Sequence, residues 1–396
     1  MKTIFYPLGL FGLFCALWSC DTATNKNDAL VTIDVRDAII QNDLISIKDD
    51  VKQIEYIPLE TTNESLISNP LALCMNQDYI FVYNGKNNKI LQFDRTGKFI
   101  KQIASYGNGP GEYRSVSELA IGKDNDQLYI FQYGETPLVY SFEGAFIGKD
   151  SSLMQSSGMV ALPNEKKALK GIVMSPITIS PWLVALQDQN GSIIDSITPF
   201  PQSVDREVCY MKEISFSPTK DGALAFTPCN DTIYRVSEKG IIPTCVLNRE
   251  NNDGYYTSIA DISKLQSSGG DDSDIHVFDF FETKYFYYFR VYKGEDIYIQ
   301  RYSKADKLLL SLLVPKEYEE CSSQVPGNNV IGISNDLDEG VPFWPEFWVD
   351  DDERAQLVTP YMIAALQEKG AINSTPKSLV NIGIDENPII IVYSFK

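Results

Sequence analysis

Asp336, Asp338 and Glu339, in the run Asn335-Asp336-Leu337-Asp338-Glu339-Gly340, crowd hard oxygen donors together in a chain that has a single histidine. Such donors suit calcium, which is satisfied by oxygen ligands alone. Asp271, Asp272 and Asp274 form a second acidic run with the same chemistry. Neither completes an EF-hand loop, and with 53 Asp and Glu in the chain an acidic run is more often a solvated loop. Calcium is therefore a possible cofactor and no cofactor is required. The lone His276 excludes multi-histidine metal sites, and no G-x-S-x-G elbow accompanies it, so no residue is assigned a catalytic role. Some pair of carboxylates will stand at catalytic spacing by chance in so acidic a chain, so paired acids alone carry little. Cys74, Cys209, Cys229, Cys245 and Cys321 contain no C-x-x-C pair; buried thiols are the simplest reading, with a Cys229–Cys245 disulfide across one hairpin as the alternative.

Aromatic chemistry is better placed. Phe343, Trp344, Phe347 and Trp348 follow the acidic run, and two of the four tryptophans of the chain lie here. Rings beside carboxylates suit sugars, which stack by their apolar faces and hydrogen-bond at their edges. Phe343, Trp344, Trp348, Asp336 and Asp338 are thus candidate ligand-binding residues, and the alternative is an insertion packed against the main fold. The glycine run Gly107-Asn108-Gly109-Pro110-Gly111-Glu112 lacks the Lys-Ser/Thr of a phosphate loop, and the residues after it read as strand. It is a join between two pieces of sheet.

The elements that must hold these residues are strands. Tyr79-Phe81-Tyr83 alternates with Ile80-Val82, a period of two. The pattern around Gly97 recurs at Gly144, 47 positions on, at Gly191 after another 47, and at Gly240 after 49. Each copy reads strand, polar turn, strand, tight glycine turn, strand, and glycine supplies the backbone conformation that such turns need. A fifth copy, 299–314, carries Asp306 at the turn position, and a sixth forms if 51–60 pairs with 378–395. A period in the high forties with three or four strands is that of a propeller blade. The expectation is an all-β, six-bladed β-propeller with loop insertions at 249–285 and 316–376 and one late α-helix over 354–370, with Asp350 to Glu353 at its dipole-favoured start and Gly370 at its end.

At the N-terminus, Lys2 and an apolar stretch from Ile4 to Trp18 end in Leu17-Trp18-Ser19-Cys20 and a polar run. The stretch is too short to span a bilayer and fits a signal peptide. The Leu-x-Ser-Cys ending resembles the lipobox of bacterial lipoproteins, which would make Cys20 the lipid-carrying residue. Expected boundaries are a signal over 1–19, a tether and lead-in segment over 20–50, and the propeller over 51–396. The net charge of −19 argues against nucleic acid and against adsorption to anionic lipid, so membrane contact should come through the anchor alone.

The stretches "QFDRTGKFIKQIASYGNGPGEYRSVSELAI", "CNDTIYRVSEKGIIPTCVL", "DLDEGVPFWPEFW" and "DENPIIIVYSF" resemble the six-bladed β-propeller lipoproteins of Bacteroidota, and more distantly NHL-type repeats. The resemblance covers about residues 50 to 396. It implies six blades and a lipoprotein of the cell envelope, on the periplasmic or the cell-surface side, and it implies no reaction. The leading expectation is a non-catalytic protein that binds a glycan or peptide ligand or acts as a scaffold. The alternatives are a calcium-dependent hydrolase or lyase with carboxylates in the central channel, and a structural partner in an outer-membrane complex.

Overall fold

In the computed structural model, residues 30–396 are described apart from 125, 175–176, 179, 199–213, 228–229, 250–274, 323–329, 373–375, 377–378 and 380–381. Six four-stranded antiparallel meanders stand around one axis. Blade I is Pro70–Met75, Tyr79–Asn84, Lys89–Asp94 and Phe99–Ile103. Blade II is Glu118–Ile121, Gln127–Gln132, Glu135–Ser141 and Phe146–Lys149. Blade III is Ser156–Ala161, Lys167–Gly171, Val184–Gln187 and Ile193–Ile197, with a short hairpin, Val173–Met174 and Ile177–Thr178, between its second and third strands. Blade IV is Ser215–Thr219, Gly222–Phe226, Thr232–Ser237 and Gly240–Asn248. Blade V is Ile275–Glu282, Phe286–Lys293, Asp296–Ser303 and Leu309–Leu313. Blade VI takes Phe347–Trp348, Glu353–Val358 and Ile389–Phe395 from the end of the chain and Val51–Pro58 from its beginning. Val51 pairs with Phe395 and Pro58 with Ile389, which closes the ring.

Both faces of a blade are buried, so its strands alternate between two apolar sets rather than between apolar and polar. On the second strand of blade I, Ile80 and Val82 face blade VI while Phe81 and Tyr83 face blade II. The result is six hydrophobic clusters, one at each blade–blade interface, instead of a single core. Burial of these side chains, at about 25 cal/mol per Å² of apolar surface, is what holds neighbouring blades together.

The glycine turns join third strands to fourth. Gly97, Gly144 and Gly191 have φ of 84°, 90° and 82°, and Gly240, at 139°, opens a fourth strand. In blade V the left-handed position falls on Lys307 (φ 56°), one residue past Asp306, whose amide and carboxylate bond to the Ser303 hydroxyl instead. The glycine run crosses from the last strand of blade I to the first of blade II. Gly107 N–H donates to Tyr113 O (3.0 Å), Gly109 N–H to Glu112 Oε2 (2.6 Å), and Gly111 (φ 79°) accepts from the Tyr140 hydroxyl.

Three expectations need correction. The helix is shorter than 354–370: Arg354 to Val358 complete the second strand of blade VI, and α2 is Pro360–Glu368, following a first helix, α1, Lys316–Ser322. Pro360 suits the first turn of a helix and keeps the preceding Thr359 extended (ψ 150°), so the helix cannot reach upstream. Asp350 to Glu353 accordingly serve a turn and a strand start rather than a helix terminus, while Gly370 (φ 67°) does end α2. Second, the aromatic run 278–289 is no insertion; it is the first hairpin of blade V, its rings divided between the interfaces with blades IV and VI. Third, the fold begins before residue 51. Val31–Asp34 adds a parallel fifth strand to blade IV, Val35 O accepts from Gln300 Nε2 (2.6 Å), and Asp43 N–H donates to Ser311 O (2.7 Å) on blade V. Residues 31–58 form a belt along the outer edges of blades IV, V and VI.

Candidate functional site

The first strand of each blade is the innermost, and the six together line a cavity of about 1890 Å³ along the axis. The first strands all run the same way, so the channel has a side where they start and a side where they finish. The two helices and the segment 330–346 pack over blades V and VI beside the starting side.

Three polar groupings stand along this channel. Near the starting side, Glu118 of blade II pairs with Lys170 of blade III, whose ammonium lies 5.6 Å from the centre of the Phe216 ring. Gly158 leaves room for this pair, since a Cβ there would collide with the Glu118 carboxylate. At mid-depth, Arg290, 1% exposed, reaches Asp279 Oδ2 (3.5 Å) and Glu346 Oε1 (3.4 Å) through Nη1 and donates from Nη2 to the Ile331 carbonyl. Trp344 Nε1–H donates to the same Asp279 oxygen (2.8 Å), and the Arg290 guanidinium lies 4.2 Å from the centre of the indole. Burial lowers the Arg290 pKa from its ordinary value, and Glu346 and Asp279 oppose that shift. Near the finishing side, Arg354 Nη2 donates to Ser217 Oγ (2.8 Å) and Pro218 O (3.0 Å). Burial pushes its pKa down to about 10, opposed by Glu282 and Asp279, so it stays charged at neutral pH.

Half-buried aromatic rings from three successive blades share the wall: Phe216 of blade IV, Phe278 and Tyr292 of blade V, and Phe347 and Trp348 of blade VI. Phe278 and Tyr292 stack at 4.2 Å and 27°.

Of the residues singled out from sequence, Trp348 lies on this wall. Trp344 borders the channel but is 1% exposed with its N–H engaged, and it offers no stacking face. Phe343 is sealed in the core against Tyr393 (4.9 Å) and Tyr288 (5.8 Å). Asp336, Asp338 and Glu339 are remote from the channel lining. Asp336 accepts from Ile47 N–H (3.0 Å) and the Ser46 hydroxyl, which pins the belt. Asp338 accepts from the Tyr56 hydroxyl (2.8 Å), Asn335 Nδ2 (2.6 Å) and Gly340 N–H (3.0 Å). These oxygens already have protein donors, and among the described residues no three His, Cys, Asp or Glu come together as a metal site. His276 is buried at the start of blade V's inner strand and borders the channel. Cys74 and Cys245 are free thiols, and Cys321 is buried in the core between blades V and VI. Cys20, Cys209, Cys229, Asp271, Asp272 and Asp274 lie outside the described residues.

Glu118, Lys170, Asp279, Arg290 and Arg354 escaped the sequence reading. The available signal was a charge set inside an otherwise apolar strand, as in "FRV" and "ERAQLV", where burial demands a partner.

No helix among the described residues is long and apolar enough to cross a membrane. A crystal structure of a Bacteroides fragilis protein, predicted to be exported, is similar over 93% of this chain and 99% of its own, with a TM-score of 0.67 and 16% identity. A member of the DUF4221 family from Bacteroides vulgatus aligns over 87% of this chain and 97% of its own, with a TM-score of 0.49 and 13% identity. No curated protein matches. The family model for the domain of unknown function DUF4934 matches residues 30–394, from the first strand of the belt to the last strand of the ring, and the chain belongs to that family.

Proposed function

We propose that this propeller is an exported, envelope-tethered receptor that binds an oligosaccharide in its central channel without transforming it. The observation that carries the reading is the channel wall, where half-buried rings from blades IV, V and VI stand beside fixed carboxylates and guanidinium groups. Sugars need both: an apolar face for stacking and polar groups held still at the ring edge. A volume of about 1890 Å³ is larger than a drug-sized pocket and accommodates several sugar units. The signal-like segment over 1–19 and Cys20 support the tether. The belt's first strand lies on the outer edge of blade IV, so an attachment preceding it leaves the channel clear.

The test is a glycan array followed by calorimetry, with wild type beside Trp348→Ala. The expectation is binding in the micromolar range, about −8 kcal/mol, weakened at least tenfold in the variant at unchanged melting temperature. Binding of peptides but no glycan, or binding indifferent to Trp348→Ala, overturns the reading.

A further inference from the structure

Arg354 is a buried cation without a counter-ion. It leaves the second strand of blade VI, passes the Phe281 ring of blade V at 5.3 Å, and reaches Ser217 and Pro218 of blade IV. A side chain from one blade thus spans its neighbour and touches the blade beyond, across the finishing side of the channel. The residue is 4% exposed. Its contacts engage Nη2 alone; Nε and Nη1 donate to no acceptor among the described residues. Unlike the Nε of Arg290, these nitrogens are not sealed from solvent, and Arg354 belongs to the channel lining.

The carboxylates nearest in electrostatic effect, Glu282 and Asp279, are engaged elsewhere. Glu282 holds Arg235 (3.0 Å) and Lys304 (2.6 Å), and Asp279 holds Arg290 and Trp344. Glu282 thus answers Arg235 and Lys304, and Asp279 answers Arg290, so neither forms an ion pair with Arg354. Buried charge is retained against its desolvation cost when something compensates it, and N–H groups open to the channel are shaped to hold oxygen anions.

We propose that the finishing side of the channel is a carboxylate-binding subsite with Arg354 as its recognition residue, so that the oligosaccharide bound is an acidic one containing uronate. This rests on the reading of the channel as a sugar site and adds the charge of the sugar. The ligand carboxylate meets Nε and Nη1, while Ser217 and Pro218 hold the guanidinium in place through Nη2. No bond is made or broken.

The test is calorimetry on the full-length protein with trimers of galacturonate, glucuronate and mannuronate, their methyl esters, and neutral trisaccharides. One of the acids should bind, its ester at least tenfold more weakly, with the difference shrinking as salt is raised. Arg354→Gln should remove that preference, and Arg354→Lys should restore part of it. The ester comparison uses wild type, so it decides the matter even where Arg354→Gln fails to fold. If neutral sugars or esters bind as well as the acids, the subsite falls and the sugar reading stands. If no sugar binds, both fall.

Discussion

Gly97 and Gly144 occupy the same turn in neighbouring blades, yet only one has backbone against it. A Cβ at Gly97 would fall on the Pro58 carbonyl oxygen, where the turn of blade I meets the end of the strand that closes the ring, and Gly97 O accepts from Glu60 N–H (2.8 Å). At Gly144 the nearest atom would be Ile103 Cδ1 at 3.6 Å, an ordinary contact. The two positions share a positive φ, so alanine at Gly144 should cost only that penalty, about 1–2 kcal/mol. Alanine at Gly97 must also displace backbone and should cost roughly twice as much. Urea denaturation of the two variants checks this, and equal losses would mean that the Pro58 contact yields freely. Burial has the same resolving power for the tryptophans: Trp344 and Trp348 are four positions apart, and one is locked to Asp279 while the other faces the channel.

Among the elements, the belt has the most to say about how the molecule is held. Val35, Ile39, Ile45 and Ile47 bury apolar side chains, while Asp336 ties down the segment at Ser46 and Ile47. Removing that carboxylate leaves the Ile47 amide without its acceptor. Asp336→Ala should therefore cost about 1–3 kcal/mol and expose residues 36–50 to limited proteolysis before the blades are cut. Cleavage spread evenly over the chain would show that the belt has no separate stability. The blades themselves were legible from sequence because their signals are local: alternation within strands, and a glycine at the third turn of blades I to IV. The belt was not, because "VTID" pairs with a strand more than two hundred positions away and no local pattern announces such a partner. The helix was misjudged because Arg354 to Val358 consists of residues that tolerate either state, and the decision lies with Pro360 and the packing of Ala355 and Leu357 against blade I. The candidate site was legible only at Trp348. Its charged members belong to four different blades and come together through the ring, whereas a linear reading favoured the acidic run at Asp336, whose carboxylate holds Ser46 and Ile47.

For the whole molecule, the six interfaces are unequal. The blade I–II interface contains Phe81, Tyr83, Tyr140 and Phe142, and the V–VI interface adds Trp344, Tyr288 and Tyr393. By contrast, the buried residues of III–IV are all aliphatic, Ala168 and Ala225 among them, while II–III sets Ala120 and Ala185 beside Phe131 and Trp182. Blade III also ends in an unpaired strand with Ile193 and Ile194 exposed, outside the reach of the belt. Each aromatic replaced by alanine withdraws about 2–3 kcal/mol of burial from an interface. Amide hydrogen exchange should accordingly find blade III the least protected of the six and blade VI among the most, with the order unchanged by Asp336→Ala. Uniform protection would argue that the ring opens only as a unit.

Closure of the ring by Val51–Pro58 on Ile389–Phe395 also fixes when the molecule can become itself. As the chain is made, the outer strand of blade VI appears early and its partner comes last, so five blades can assemble while the sixth lacks the strand between its two halves. Joining sites so far apart costs about 5 kcal/mol in chain entropy beyond a short-loop constant, and nothing compensates it until Ile389 to Phe395 arrive. Until then, blade I presents to solvent the apolar face meant for blade VI. The seven-residue strand Ile389–Phe395 is therefore the clasp of the ring, and closure waits on it.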